Sequence, residues 1–352
     1  MNEIPGAVMQ IPEIKQSFTQ QQAIAISLIQ ADLRFLFTVI KNSARFESNY
    51  IVSLMPYMGV IIDGTEDWLQ AYNRSSKQEL SVPTFDEQEQ LFFEEMRSTI
   101  KMWNTQYNEL YQRLKSLYEE SDRHFSALCC PIAKALHLYD VFGTDLVNGQ
   151  YCGNTILCAF YSPKFRFDIS KSRYGENIRK MMEIGGKYIS IFGSTKEYLT
   201  DSSMLFKCAD YGGFVKSPVG NKFSDKFVLF SLLCQIQFVL VCIDEFITEE
   251  CTTKLRFLYL QYYYSVSAVK EYNRKTGAGI RIDSGWVSDK FRNAMAHYKI
   301  GIALKKDEII CGDPLFGLTQ KFLNTDYFTL KNAIKAALKS TSQQIRKHLN
   351  LN

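Results

Sequence analysis

Apolar residues recur at helical spacing through the first 140 residues, which predicts a helical N-terminal region. The first helix, over residues 19–43, has one apolar face: Ile26, Ile29, Leu33, Leu36 and Ile40. Residues 48–72 are also apolar, but Pro56, Gly59 and Gly64 interrupt them, so a broken element is expected there. Residues 1–140 are therefore predicted to form a helical domain, and the pattern does not indicate its role.

The clearest element predicted is one long helix over residues 84–121. Pro83 precedes it, and Thr84 with Glu87 has the spacing of a capping box. Apolar residues alternate along it in steps of four and three, as heptad a and d positions do: Met96, Ile100, Trp103, Tyr107, Leu110, Leu114 and Leu117. We expect this seam to pack inside a helical bundle, and a dimerising coiled coil is the alternative.

Glycines and β-prone pieces such as Lys187–Phe192 distinguish residues 141–224, which are predicted to form an irregular connecting segment. Within residues 161–187, seven basic residues stand against three acidic ones, with aromatic residues interleaved. Such a loop suits single-stranded nucleic acid through phosphate attraction and base stacking, and an ordinary solvated surface is the alternative. Three basic residues here are candidate substrate contacts: Lys164, Arg166 and Arg173.

Helical spacing resumes near Ser224, and residues 225–352 are predicted to form a C-terminal helical bundle. Its first helix contains the one membrane-spanning candidate, Phe227–Ile243. This run is short for a span and holds Gln235 and Gln237 near its middle, which favours a buried core helix. The three regions together predict a mainly α fold: an N-terminal helical bundle with a long heptad helix, an irregular middle segment and a C-terminal helical bundle.

Composition indicates an ordinary globular protein. Of 352 residues, 46% are hydrophobic and 22% charged, which excludes a disordered chain. The net charge of +4 is too small to indicate nucleic-acid binding by itself. The nine cysteines form no C-x-x-C pair and the four histidines have no paired spacing, so no metal site or cofactor is expected. With no secretory signal visible, we expect a reduced, cytoplasmic protein.

The stretch that points to chemistry is D-K-F-R-N-A-M-A-H-Y, residues 289–298, in a short helix predicted over residues 284–298. At about 100° per residue, one stripe of this helix is apolar and is predicted to face the bundle: Val287, Phe291, Ala294 and Tyr298. The opposite wedge is polar and is predicted to face water or a partner: Asp289, Arg292, Asn293 and His297.

Arg292, Asn293 and His297 are the candidate catalytic residues. Imidazole titrates near neutrality and can move a proton, while guanidinium keeps its charge and can stabilise a charged phosphate. Bringing two such faces together would surround one phosphate with two arginines and two histidines. This chemistry suits cleavage of RNA without a metal, with Asn293 orienting the imidazole or the phosphate.

The motif R-N-A-M-A-H, residues 292–297, resembles the Arg-x(4–6)-His signature of the HEPN (higher eukaryotes and prokaryotes nucleotide-binding) superfamily. The residue after the arginine of that signature is commonly Asn, Asp or His. The resemblance covers about residues 225–350, where the helical hairpin before the motif and the helix after it fit that all-α fold. It implies a metal-independent endoribonuclease with a site shared across a dimer, in which Arg292 and His297 are catalytic and Asn293 supports them.

Further expectations follow from this resemblance. Many members are toxins or antiviral defence nucleases that leave 2′,3′-cyclic phosphate ends. It therefore implies RNA as substrate, a homodimer, a regulatory or antitoxin partner, and no membrane. Some toxin members carry a modifiable tyrosine two residues after the histidine; Lys299 occupies that place here, so we expect no such modification and count Lys299 as a substrate contact. The alternative is a non-catalytic helical RNA- or protein-binding scaffold of the same type.

Overall fold

The computed structural model describes residues 20–45, 48–75, 87–136, 139–161, 174–192, 196–209, 218–220, 222–296 and 314–351. Helices dominate these residues, so the predicted mainly α fold is confirmed. The α-helices are α1 (Gln20–Asn42), α2 (Ser48–Ser75), α3 (Glu87–Thr99), α4 (Tyr107–Leu128), α5 (Pro131–Ala135), α6 (Thr155–Tyr161), α7 (Tyr174–Phe192), α8 (Asp225–Gln237), α9 (Thr252–Thr276), α10 (Asp289–Ala296), α11 (Pro314–Leu323) and α12 (Tyr327–Leu349). The strands are β1 (Thr144–Val147), β2 (Gln150–Asn154) and β3 (Phe206–Ala209).

Helix α2 is continuous, so the broken element expected over residues 48–72 is wrong. Pro56 lies inside the helix, whose residues 50–62 are all buried. Gly59 is needed for packing, because a Cβ atom there would lie 3.1 Å from the backbone nitrogen of Arg97 on α3. Tertiary burial and a close helix contact therefore outweigh the weak helix propensity of these residues.

The prediction of one long heptad helix over residues 84–121 is also wrong, because the helix is not continuous. Helix α3 ends at Thr99, a 3₁₀ turn covers Met102–Asn104, and Thr105 is extended with φ −80° and ψ 151° before α4 begins. The seam residues are nonetheless buried within the chain as expected, apart from the half-buried Leu117: Met96, Ile100, Trp103, Tyr107, Leu110 and Leu114.

The middle segment contains a three-stranded antiparallel sheet of order β2-β1-β3. Asn148 and Gly149 join β1 to β2 with φ values of 48° and 76°, the left-handed geometry of a tight hairpin turn. The β-prone piece Lys187–Phe192 is instead the end of α7, which packs against α1 and α2. The strand expectation for that piece is therefore wrong.

Helix α8 continues into a π-helix over Phe238–Glu245, marked by a bond from the Phe246 N–H to the Val241 carbonyl at 2.9 Å. Among the described residues, Asp225–Glu245 is the single helix long and apolar enough to cross a membrane. Its most apolar window is entirely buried inside the protein, and core helices pass the same test of length and composition.

Helix α9 lies at the centre of the fold and contacts α1, α4, α8, α10 and α12. One continuous cluster of buried apolar side chains runs from Ile26 to Leu349. Deep within it, Arg256 of α9 donates to the Asp32 carboxylate of α1 at 2.5 Å, with both side chains essentially inaccessible. The three regions predicted from sequence share this core, and their boundaries as domains stay a prediction.

Candidate functional site

The structure describes two of the three predicted catalytic residues. Arg292 and Asn293 lie on α10, whose last residue is Ala296. His297 follows directly in sequence and lies outside the described residues, as do four candidate substrate contacts: Lys164, Arg166, Arg173 and Lys299. The geometry of the site is therefore that of Arg292, Asn293 and their surroundings.

Hydrogen bonds from α9 fix where α10 begins. The Tyr259 hydroxyl accepts from the Ser288 N–H at 3.0 Å and donates to the Trp286 carbonyl at 3.0 Å. The Ser288 side chain caps the helix by accepting from the Phe291 N–H at 3.2 Å. Phe291 is fully buried and meets the Tyr259 ring edge-on, with centroids 4.5 Å apart. Helix α10 is therefore held firmly on the surface of α9.

The buried face of α10 differs from the predicted apolar stripe. Phe291, Met295 and Ala296 are buried, and Ala294 is half-buried. Val287 is 40% exposed, so its assignment to the core is wrong. The face is wider than predicted because α10 also packs against α11. Asn293 is exposed, as the polar wedge predicted.

Arg292 does not project freely into water, which corrects the prediction for this residue. Its side chain is half-buried, with its Cζ atom 5.2 Å from the centroid of the Tyr263 ring on α9. Its Nε atom is buried and has no hydrogen-bond acceptor among the described residues. The Tyr263 hydroxyl donates to the Asp289 carboxylate, which fixes the ring beneath the guanidinium. Arg292 is thus oriented by a cation–π contact rather than by an ion pair.

Two further cations share electrostatic neighbours with Arg292, and we call Arg97, Lys101 and Arg292 the cationic cluster. Burial lowers the pKa of Lys101, and the charges of Arg97 and Arg292 lower it further. Burial also raises the pKa of Tyr264 to about 12, partly opposed by Arg292 and Arg97. The charge of Arg292 on α10 is therefore felt both by Tyr264 on α9 and by Lys101, which follows the end of α3.

Sequence reasoning missed Arg97 and Lys101. Neither belongs to a motif, and they stand far from Arg292 in the chain. They share electrostatic neighbours with it because the 3₁₀ turn after Lys101 packs against α9. No local pattern of charges contains this tertiary contact.

No family model, curated protein or solved structure matches this chain. What the site can do therefore has to follow from its own chemistry. Guanidinium and ammonium groups bind phosphate oxygens strongly, and an aromatic ring beneath a guanidinium limits its motion. In the part of the chain that the structure describes, no group of three His, Cys, Asp or Glu residues is placed to hold a metal ion.

Proposed function

We propose that this protein is a metal-independent endoribonuclease that cleaves single-stranded RNA with Arg292 and His297, supported by Asn293. In this proposal a homodimer brings two such motifs to one phosphate, as the resemblance to the HEPN superfamily implies. The protein acts in the cytoplasm as a toxin or an antiviral defence effector, restrained by a regulatory or antitoxin partner.

Each residue has a separate task in the proposed reaction. The His297 imidazole takes the proton from the 2′-hydroxyl or gives one to the leaving 5′-oxygen, the proton-transfer role for which histidine is most often used. The Arg292 guanidinium stabilises the additional negative charge on the phosphate oxygens. The exposed amide of Asn293 lies on the next position of α10 and can hydrogen-bond the phosphate or the imidazole.

The observation that carries the proposal is the setting of Arg292. Its guanidinium lies over Tyr263, and among the described residues it makes no ion pair and its buried Nε–H has no acceptor. A structural arginine in a folded protein usually pairs its charge and its N–H groups. An oriented arginine whose charge has no ionic partner among the described residues is what a phosphate-binding site needs, and the motif places a histidine five residues later.

The test is RNA cleavage by the purified protein in the presence of a chelator. Wild type is compared with Arg292→Ala and His297→Ala, using a labelled single-stranded RNA. Exposed residues of the same types provide matched controls, namely Arg274→Ala on α9 and His348→Ala on α12. Cleavage by wild type and both controls, with a loss of at least about a hundredfold in both site variants, is expected. Equal cleavage by all five proteins would refute the proposal.

A non-catalytic RNA-binding module is the second candidate. It is favoured by the basic, aromatic-interleaved stretch of residues 161–187, in which seven basic residues stand against three acidic ones, as in sequences that bind single-stranded nucleic acid. Tight RNA binding by wild type, without cleavage under any of these conditions, would select this candidate.

A further inference from the structure

The stretch from the end of α4 to the end of α5 is exposed although it is mostly apolar. Three large apolar side chains stand there at steps of four along the chain: Leu128 is 71% exposed, Ile132 70% and Leu136 63%. We call these three side chains the apolar tip. The Leu136 N–H donates to the Ile132 carbonyl at 3.0 Å, so these two side chains lie on one side of the same helical turn. Exposed apolar side chains that cluster in this way mark a surface that binds a partner or a membrane.

Helix α5 projects from the rest of the fold. It makes no extensive contact with any other described helix or strand, and none of its residues is buried. Phe125 before it and Tyr139 after it do pack against the core, so the chain leaves the core and returns to it on either side of α5. The apolar tip therefore contributes nothing to the core of the described structure, and the fold does not account for its apolar character.

The charges beside the apolar tip favour an anionic surface. Residues 123–136 contain no Asp or Glu, whereas Arg123 and Lys134 are both exposed. The acidic residue that precedes this stretch, Asp122, accepts a hydrogen bond from the Tyr139 hydroxyl at 2.7 Å. Apolar side chains accompanied by cations, with no acidic residue among them, are the composition of segments that bind anionic membranes.

The size of the apolar tip favours a lipid surface over a second protein. Five residues of helix extend only about 7.5 Å, and a helix is about 10 Å wide. A stable protein interface buries about 800 Å² on each partner, which one such helix cannot supply. A lipid surface requires no complementary shape, because each apolar side chain that enters the boundary between headgroups and acyl chains adds to the binding.

We propose that the apolar tip docks onto the surface of a membrane that contains anionic lipids. Its three side chains enter the boundary between headgroups and acyl chains, while the charged ends of Arg123 and Lys134 stay among the headgroups. Docking of this kind is peripheral and reversible. It departs from the absence of a membrane that the HEPN resemblance implies. It does not depend on the proposed ribonuclease activity, because α5 contains none of the candidate site residues.

The test is flotation of the full-length protein with lipid vesicles. Vesicles of phosphatidylcholine alone are compared with vesicles of phosphatidylcholine and phosphatidylserine. The tip variant replaces all three apolar side chains, by Leu128→Gln, Ile132→Gln and Leu136→Gln together. The matched control is the double variant Leu199→Gln with Leu205→Gln, at leucines that are 66% and 65% exposed elsewhere in the fold. All of these side chains are exposed, so the variants are expected to fold, which circular dichroism checks.

Wild type and the control variant are expected to float with the phosphatidylserine vesicles. The tip variant should bind them at least about thirtyfold more weakly, since each lost apolar side chain weakens interfacial binding several-fold. Lys134→Gln should weaken binding to these vesicles about fivefold, as for one cation near an anionic surface, and Lys134→Arg should restore it. The effect of Lys134→Gln should shrink as the salt concentration rises.

Three results would overturn the proposal. Wild type that floats with neither kind of vesicle would show that the tip does not dock onto a membrane. Flotation of the tip variant equal to that of the control would place the lipid contact elsewhere. A wild-type dimer in sedimentation equilibrium that the tip variant cannot form, with no flotation of either protein, would assign the tip to a second copy of the chain. RNA cleavage by the tip variant should equal that of wild type, so this proposal and the proposed function can fail independently.

Discussion

Replacing Asp32 by Ala tests whether α1 and α9 belong to one cooperative core. Asp32 is fully buried, and its carboxylate accepts from the Thr253 hydroxyl and from Arg256. Arg256 is itself only 1% exposed. The alanine variant would therefore leave a guanidinium inside the protein without its counter-ion, close to the packed rings of Phe35 and Phe257.

The magnitude follows from the burial of both partners. Breaking a buried ion pair from one side costs about 3–5 kcal/mol, because the remaining charge stays out of water. The exposed pair of Glu271 and Arg274 gives a contrast, since removing such a surface pair costs at most about 1 kcal/mol. Replacing both buried partners, Asp32→Leu with Arg256→Met, should recover most of the loss.

The assay is equilibrium unfolding in urea, followed by far-UV circular dichroism and tryptophan fluorescence. Coincident transitions from the two signals would justify comparing free energies of unfolding. A loss in Asp32→Ala of less than about 1 kcal/mol, equal to that of Glu271→Ala, would refute the reasoning. A double variant less stable than Asp32→Ala would refute it equally, because packing rather than charge would then govern the site.

Three further predictions concern stability, packing and toxicity. Burial raises the pKa of Asp244, but Lys335 and Lys331 outweigh it and hold the pKa below its ordinary value. Because the folded-state pKa is the lower one, this stabilisation is present above the unfolded pKa of about 4 and is lost as pH falls through the folded pKa. Urea unfolding of Asp244→Asn should therefore show a loss at pH 7 that disappears in acid, and a loss independent of pH would contradict this. Trp103→Phe removes the donor to buried Gln235 and should lower the free energy of unfolding by about 1–3 kcal/mol; an unchanged urea midpoint would contradict the hydrogen bond. Expression of unrestrained wild type should slow cell growth while His297→Ala does not, and equal growth inhibition by both would count against the proposed ribonuclease activity.

The sequence predicted which residues are buried better than it predicted where elements end. The heptad seam identified six buried positions correctly, yet burial spacing could not reveal the break between Thr99 and Tyr107. Continuity there depends on the turn that lets Trp103 reach Gln235 of α8, which is a contact distant in sequence. Pro56 and Gly59 led to the opposite error, a predicted break where the structure has a continuous helix. That helix is stabilised by packing on α3.

The sequence also contains a signal for the hairpin of β1 and β2 that the sequence analysis did not use. Asn148-Gly149 is a strong two-residue hairpin signal, and it lies between the two strands that the structure pairs. The candidate site also contains one feature that the sequence predicted and one that it did not. The motif predicted an exposed Asn293, but helical periodicity alone could not show that Tyr263 draws Arg292 against α9. The electrostatic influence of Arg292 on Lys101 could not be read from sequence, since it arises only when α10 and the 3₁₀ turn after Lys101 both pack on α9.

The most direct measurement of the central claim is the chemistry of the RNA ends. Wild-type protein is incubated in chelator with a single-stranded RNA, its cleavage sites are mapped, and one site is replaced by a 2′-deoxynucleotide. Attack by the 2′-hydroxyl predicts 2′,3′-cyclic phosphate ends and no cleavage at the deoxy position, with both dependent on His297 and Arg292. Products with 3′-hydroxyl ends, or undiminished cleavage at the deoxy position, would contradict the account.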